Sequence, residues 1–372
     1  MCSCFFAFVP IRTLQYNYPH FSLFYYIFAI FLSHRFSLYY PYLQLAVIGF
    51  LHPTALYRSD KIRLFYFLIL LTFFLNCYTI KKKNLLGGTM KIQYWGTAAA
   101  EGVPGIFCDC ETCRLARQYK GRKIRMRSQI LVNDDLLIDF GPDTYSNSIR
   151  FDYNMTNLEH VIITHPHEDH LYSDELEHRL RIFAPKMGTP VLYVHGSADT
   201  LEAIRRVTDR IPHFQGQDCV VYDIMQPYET RQVGKYLVTP LPAEHGTATP
   251  YVYLIEDGEK SFLLLNDTGR PSYEVYEYLI GRGIVLDAIS FDCTYAFANV
   301  LEKYGKADHH MGLLDNVAVK SFLDVKGVTD RHTVCIATHY SHNGVDADYD
   351  KMCEHTDKYG FINAYDGMVL EF

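Results

Sequence analysis

Three histidines and an aspartate crowd into one hexapeptide, His165-Pro166-His167-Glu168-Asp169-His170. His165 and His167 stand two apart, so both can face one cation only from an extended backbone. Asp169 and His170 follow at once, and a helix beginning there would set the carboxylate near its positive end. Imidazoles with a carboxylate suit zinc or a harder divalent ion, and a catalytic site of that kind keeps one position open for water. The stretch follows Val161-Ile162-Ile163-Thr164, an apolar β-branched run that reads as a strand.

A second pattern is Cys108-Asp109-Cys110-Glu111-Thr112-Cys113. Three thiolates at this spacing can form one face of a tetrahedral zinc site, with the fourth ligand supplied from elsewhere. Clustered cysteines in a histidine-rich chain point to metal before disulfide. The small-residue loop Gly96–Pro104 just before them lacks the lysine of a phosphate-cradling P-loop, so we expect a tight turn packed near the site.

The elements that must carry these groups alternate. Strands are expected at Lys91–Gly96, Arg125–Val132, Leu136–Asp143, Val191–Val194, Tyr236–Leu241, Tyr251–Ile255, Ser261–Leu265, Ala288–Asp292 and Thr333–Thr338. Helices are expected at Leu171–Ala184, Ala198–Thr208, Ser272–Arg282 and from Gly312 through Val325. Candidate polar groups fall at strand ends: Asp139 and Asp143, His245, Asp267, Asp292, and the pair His339 and His342. Asp139 and Asp143 either orient ligands or are solvated turn acids.

Charge divides the chain near Met90. Of 35 basic and 42 acidic residues, the first 89 hold eight basic residues and one acid, leaving 27 basic and 41 acidic in the rest. An acidic main domain excludes a broad nucleic-acid surface. Residues 1–89 are rich in Phe, Tyr, Leu and Ile, with apolar runs at Phe21–Ser33 and Leu64–Ile80 and then Lys81-Lys82-Lys83. Gly87-Gly88-Thr89-Met90 is what a ribosome-binding site and start codon would give if read through. We therefore expect translation to begin at Met90 and residues 1–89 to be a gene-model artefact. The other reading is a membrane anchor with the catalytic domain, 90–372, in the cytoplasm.

The hexapeptide with Thr164 before it resembles the THxHxDH signature of the metallo-β-lactamase superfamily. The Gly96 loop with the three cysteines resembles one branch of it, the phosphoribosyl cyclic phosphodiesterase of the carbon–phosphorus lyase pathway and its relatives. That resemblance covers Met90 to Phe372 and implies an α/β four-layer αββα sandwich, two mixed sheets between helices. It implies that His165, His167 and His245 hold one ion, that Asp169, His170 and His339 hold a second, and that Asp267 bridges them. It also implies a structural zinc on Cys108, Cys110, Cys113 and His342, and a substrate-facing histidine at His310, with His309 as the fallback. The chain departs from the family after the hexapeptide, where Leu171-Tyr172-Ser173-Asp174 replaces the usual glycine.

The function implied is a dinuclear phosphodiesterase acting on a small cyclic phosphate, with zinc, manganese or iron as the paired ions. Two such ions lower the pKa of a water toward about 7 and neutralise a phosphoryl oxygen. Asp169, a ligand, and His310, a proton donor or phosphate binder, are the catalytic candidates. The rivals are a tRNA 3′-processing nuclease, a thioesterase or lactamase, a quinone-cofactor-biosynthesis oxidoreductase and a non-enzymatic metal scaffold. The partner expected is a small-molecule phosphodiester; a homodimer is left open.

Overall fold

The computed structural model describes residues 88–211 and 219–372. The expectations for residues 1–87 lie outside them. Among the described residues no helix is long and apolar enough to cross a membrane.

Fourteen strands form two seven-stranded sheets. The first holds β1 Lys91–Gly96, β2 Gln129–Val132, β3 Leu136–Ile138, β4 His160–Ile162, β5 Leu192–Gly196 and β6 Val220–Ile224. The second holds β7 Arg231–Val233, β8 Tyr236–Pro242, β9 Tyr251–Glu256, β10 Ser261–Leu265, β11 Ala288–Asp292, β12 Val334–Thr338 and β13 Ile362–Asn363. The chain then returns to the first sheet as β14 Val369–Glu371, on the free edge of β1. In the first sheet the order is β14-β1-β2-β3-β4-β5-β6, antiparallel up to β3 and parallel from β3 to β6. In the second it is β13-β12-β11-β10-β9-β8-β7, with β10 to β13 parallel and β7 to β10 antiparallel.

The strands read as near-continuous apolar runs because both faces are covered. Alternate residues of the two sheets meet in a central core: Ile92, Tyr94, Ile130 and Ile138 face Val238, Tyr253, Phe262, Leu264 and Ile336. The other face of the second sheet, through Leu254, Leu263, Ile289 and Ala337, packs on Val275, Leu279, Leu313, Val319 and Met352 of the helices Tyr273–Arg282, Leu313–Val325 and Tyr349–Tyr359. The outer face of the first sheet, through Leu137, Val161 and Val194, packs on Ile204 of the helix Ala198–Thr208 and on Leu176 and Leu180. Helix, sheet, sheet and helix thus stack as the expected αββα sandwich.

Three local expectations fail. The strand expected from Arg125 begins only at Gln129, because Arg125 and Arg127 make isolated bridges to Val103 and Ala98 instead. No helix starts at Asp169; residues 168–170 form a turn closed by the His170 and Leu171 N–H groups on the His167 carbonyl. The helix expected over Leu171–Ala184 is a 3₁₀ segment, Ser173–Arg179. Leu171 is tied to Phe140 as a β-bridge, which holds the chain extended there and delays the helix.

One buried carboxyl links the termini of this domain. Asp366 accepts from Thr97 Oγ1 (2.8 Å), Met126 N (2.7 Å) and Arg150 Nη1 (3.1 Å). Burial outweighs those donors and pushes its pKa up to about 6. The folded state therefore holds this proton more tightly than the unfolded chain, so the group's contribution is fully present below about pH 4 and is lost as pH rises through about 6. In urea unfolding, the stability gap between wild type and Asp366→Asn should shrink between pH 4 and pH 7 by at most about 3 kcal/mol. A gap independent of pH would refute the assignment.

Candidate metal centre

The parallel strands β3, β4, β10, β11 and β12 all end on one rim, as does β8. The polar groups singled out in the sequence follow those ends. Asp139 follows β3, the His165–His170 turn follows β4, His245 follows β8, Asp267 follows β10, Asp292 closes β11 and His339 follows β12. Carboxyl ends of parallel strands are where α/β folds place their ligands. Asp139, Asp267 and His339 all have positive φ, 66°, 51° and 60°. Asp and His tolerate this left-handed region better than most residues, and strain of this kind gathers at functional sites. The reversal directs each side chain back across its strand end. Gly141 makes the approach of the β4 turn possible, since a Cβ there would lie 2.1 Å from the Asp169 carbonyl.

Asp267 is the hub. One oxygen lies 3.2 Å from His165 Nε2, 3.0 Å from His170 Nε2 and 3.7 Å from His339 Nε2. The other lies 3.4 Å from His245 and 3.2 Å from His310. His167 Nδ1 stands 2.9 Å from His165 Nε2 and 3.1 Å from His245 Nε2. Two groups result, His165–His167–His245–Asp267 and Asp169–His170–Asp267–His339, each with donor atoms within 4.8 Å of one another. All seven residues expected at the catalytic ions come together, and Asp267 belongs to both groups.

The donor set fits a pair of cations. His170 Nε2, His339 Nε2 and Asp267 Oδ1 are buried without a hydrogen bond. Their other ring nitrogens are already engaged: His170 Nδ1 lies 2.6 Å from Asp139, and His339 Nδ1 lies 3.1 Å from Asp292 and 2.8 Å from Thr294 Oγ1. His165 Nδ1 meets Thr164 Oγ1 at 3.0 Å. A carboxylate or hydroxyl on one ring nitrogen fixes the orientation in which the other faces a metal. Inward nitrogens left without a proton partner are costly in a buried site unless a cation satisfies them.

The charges of the site are strongly coupled. Burial, with the neighbouring histidines, holds His165 well below its usual pKa, so it is neutral, the ligating form. Burial works against the charge on Asp267, yet the surrounding imidazoles hold its carboxyl well below the usual range. His170 is raised well above its usual value, the Asp139 and Asp169 carboxylates overcoming burial. His310 rises to about 9, Asp292 and Asp267 likewise overcoming burial.

The structure separates several open readings. Asp139 orients ligands: besides His170 it accepts from Thr164 N at 2.8 Å. Asp143 does not. It pairs with Arg127 (3.0 Å) and accepts that residue's N–H, a scaffold contact. Asp292 orients both His339 and His310. His310 faces the hub and stacks on His339 with ring centroids 5.8 Å apart, whereas His309 turns to Asp308 and is half exposed. His310 with Asp267, Asp292 and His339 could itself hold an ion. Sequence reading missed the roles of Thr164 and Thr294, which touch three site groups each; hydroxyls beside ligands carry no spacing signal of their own.

Asp139→Asn should weaken binding of the second ion about 10–100-fold, because Asn cannot hold His170 as a carboxylate does. Isothermal titration of the metal-free protein measures this, and unchanged affinity would show that Asp139 does not orient the ligand.

The cysteine cluster is the second centre. The sulfurs of Cys108, Cys110 and Cys113 and a ring nitrogen of His342 lie within 4.8 Å of one another. Cys110 Sγ is 3.6 Å from His342 Nδ1, and the Gly105 N–H points at Cys113 Sγ at 3.2 Å. Gly105 cannot carry a side chain, as a Cβ would fall 2.7 Å from His342 Nε2. Thiolates with one imidazole suit zinc. His342 lies three residues beyond His339, and Ala99 and Thr97 of the Gly96 loop hydrogen-bond to Tyr340 between them. One segment therefore ties both centres together.

Residues 135–340, more than half of the chain, match the beta-lactamase superfamily domain. The chain belongs to this superfamily. Its fold is shared with a diphosphatase of the PhnP family at 20% identity and a TM-score of 0.58, over 77% of this chain and 98% of that one. It is shared also with zinc-bound PqqB from Methylobacterium extorquens, at 18% identity and 0.58 over 76% and 100%. A metallo-beta-lactamase fold protein, YhfI from Bacillus subtilis, aligns at 19% identity and 0.55 over 77% and 100%. No curated protein matches the chain.

Proposed function

We propose that this superfamily hydrolase is a metal-dependent phosphodiesterase acting on a small phosphate ester, with a cyclic phosphate such as phosphoribosyl 1,2-cyclic phosphate as the first candidate. The observation that carries the reading is the combination of two centres on one segment: a complete His/Asp set ending at His339 and a three-cysteine cluster closed by His342. The seven residues His165, His167, Asp169, His170, His245, Asp267 and His339 would hold the catalytic pair, and the cysteine cluster a structural zinc.

Two ions so held would supply Lewis acidity, lowering the pKa of a water and neutralising charge on a phosphoryl oxygen. The chain supplies the rest. Asp139 and Asp292 keep the inner imidazoles turned toward the centre. His310, three-quarters buried beside Asp267 and backed by Asp292, is placed to donate a proton to the leaving oxygen or to bind a phosphate oxygen. The PhnP-family diphosphatase adds support for phosphoryl chemistry, with a diphosphate bond as its second form. Zinc, manganese or iron would each suit the His/Asp pair.

The test is a substrate panel on the purified, metal-loaded protein: a chromogenic phosphodiester, a diphosphate ester, a thioester and a lactam. Turnover of the phosphodiester above the others is expected. Thioester or lactam turnover alone, or no hydrolysis from a protein with its full metal complement, would overturn the reading.

A further inference from the structure

The cysteine cluster contains a second arrangement that a bound metal would conceal. Cys110 is the N-cap of the helix Glu111–Tyr119, and Cys113 lies in its first turn. Cys110 Sγ accepts the Cys113 N–H at 3.5 Å, so it sits over the helix start. Helix geometry sets residues at this spacing about 5 Å apart, inside the ~4.4–6.8 Å Cα separation that disulfides span. This is the C-x-x-C arrangement of thiol–disulfide proteins. Access to the two sulfurs is unequal. Cys110 is half-buried and, with His342, Thr112 and Lys351, lines a groove of about 210 Å³ open to solvent. Cys113 is fully buried beneath it. A half-buried sulfur on a groove, over a fully buried partner, is the layout of an attacking and a resolving cysteine.

We propose that Cys110 and Cys113 are a peroxide-sensitive pair, for which metal binding and disulfide formation compete, so that oxidation ejects the ion from the cluster. The step balances with a hydroperoxide as oxidant. The Cys110 sulfur attacks one peroxide oxygen; the S–O bond forms, the O–O bond breaks and hydroxide (or alkoxide) leaves. The Cys113 sulfur then attacks the Cys110 sulfur; the S–S bond forms, the S–O bond breaks and a second hydroxide leaves. Two sulfurs give up two electrons in total, and solvent protons convert the leaving groups to water. The ion loses two of four ligands at once, and Cys108 with His342 cannot hold it alone. The inference goes beyond the phosphodiesterase reading and depends only on a metal held by these four side chains.

The experiment is anaerobic titration of the purified protein with hydrogen peroxide. It reads ion release with a chromogenic chelator, free thiols, intact mass and a non-reducing peptide map. Loss of one ion and two thiols per chain, with a mass decrease of about 2 Da and a Cys110–Cys113 linkage, supports the proposal. Dithiothreitol plus the ion should reverse all four changes. In Cys113→Ser the Cys110–Cys113 linkage cannot form, so oxidation should leave Cys110 either with about 16 Da added or linked to the neighbouring Cys108. Cys353→Ser should behave as wild type, which guards against misreading a half-buried thiol outside the cluster. An ion and thiols left intact by about a tenfold excess of peroxide, or a linkage that omits Cys110 or Cys113, would overturn the proposal. So would a protein whose cysteine cluster binds no ion before oxidation.

Discussion

Asp267→Asn should lower kcat/KM by roughly 10³-fold or more and reduce the number of ions held by the His/Asp groups from two toward less than one. The size follows from position. Asp267 is the one residue common to both His/Asp groups, and it stands within 3.7 Å of five histidines. An amide keeps the shape and tolerates the positive φ of 51° at this position, but it removes the negative charge that offsets the imidazoles and the ions. Losing metal-based charge stabilisation forfeits several kcal/mol of barrier reduction, and each 1.36 kcal/mol is about tenfold in rate. The fold should persist, because the Asp267 side chain sits at a rim rather than in the apolar layers. Metal analysis, steady-state kinetics and the melting temperature of the metal-free protein check these together. A variant that holds two ions and turns over normally would show that Asp267 does not bridge.

Cys110→Ala should lower stability by roughly 3 kcal/mol or more, since the metal's binding energy is folding energy at such a site. For a domain of this size that is a melting decrease on the order of 5–10 °C. His342→Ala should produce a similar loss, and the double variant little more, because either change alone already empties the cluster. Additive losses would mean the four side chains act separately and hold no common ion. The catalytic centre should feel the change through Tyr340, whose backbone pairs with Thr97 and Ala99 on one side while His339 and His342 flank it. A fall in catalytic-metal affinity alongside the loss of stability is therefore expected.

The resemblance to a known family named the seven His and Asp residues and the Cys–His cluster, and the structure brings each set together at strand ends. Most strands were legible too, since β10 and β11 are buried on both faces and are apolar apart from Ser261, Ser290 and the terminal Asp292. The loop after the hexapeptide was not. Leu171 is apolar and periodic enough to suggest a helix, but its bridge to Phe140, thirty-one residues earlier, draws it into an extended conformation. The roles of Asp139 and Asp143 could not be told apart for the same reason. Both are acids at the end of one strand, and only packing puts His170 beside the first and Arg127 beside the second.

Composition and spacing by themselves determined which groups could bind metal and which strands must be buried, because donor chemistry and apolar burial are properties of residue type. Tertiary structure decided that the expected groups come within reach of one another around Asp267, that His310 and not His309 faces it, and that two threonines contact the inner histidines. Those facts depend on distances between strands up to two hundred residues apart, and such distances are fixed only when the two sheets close on their common core.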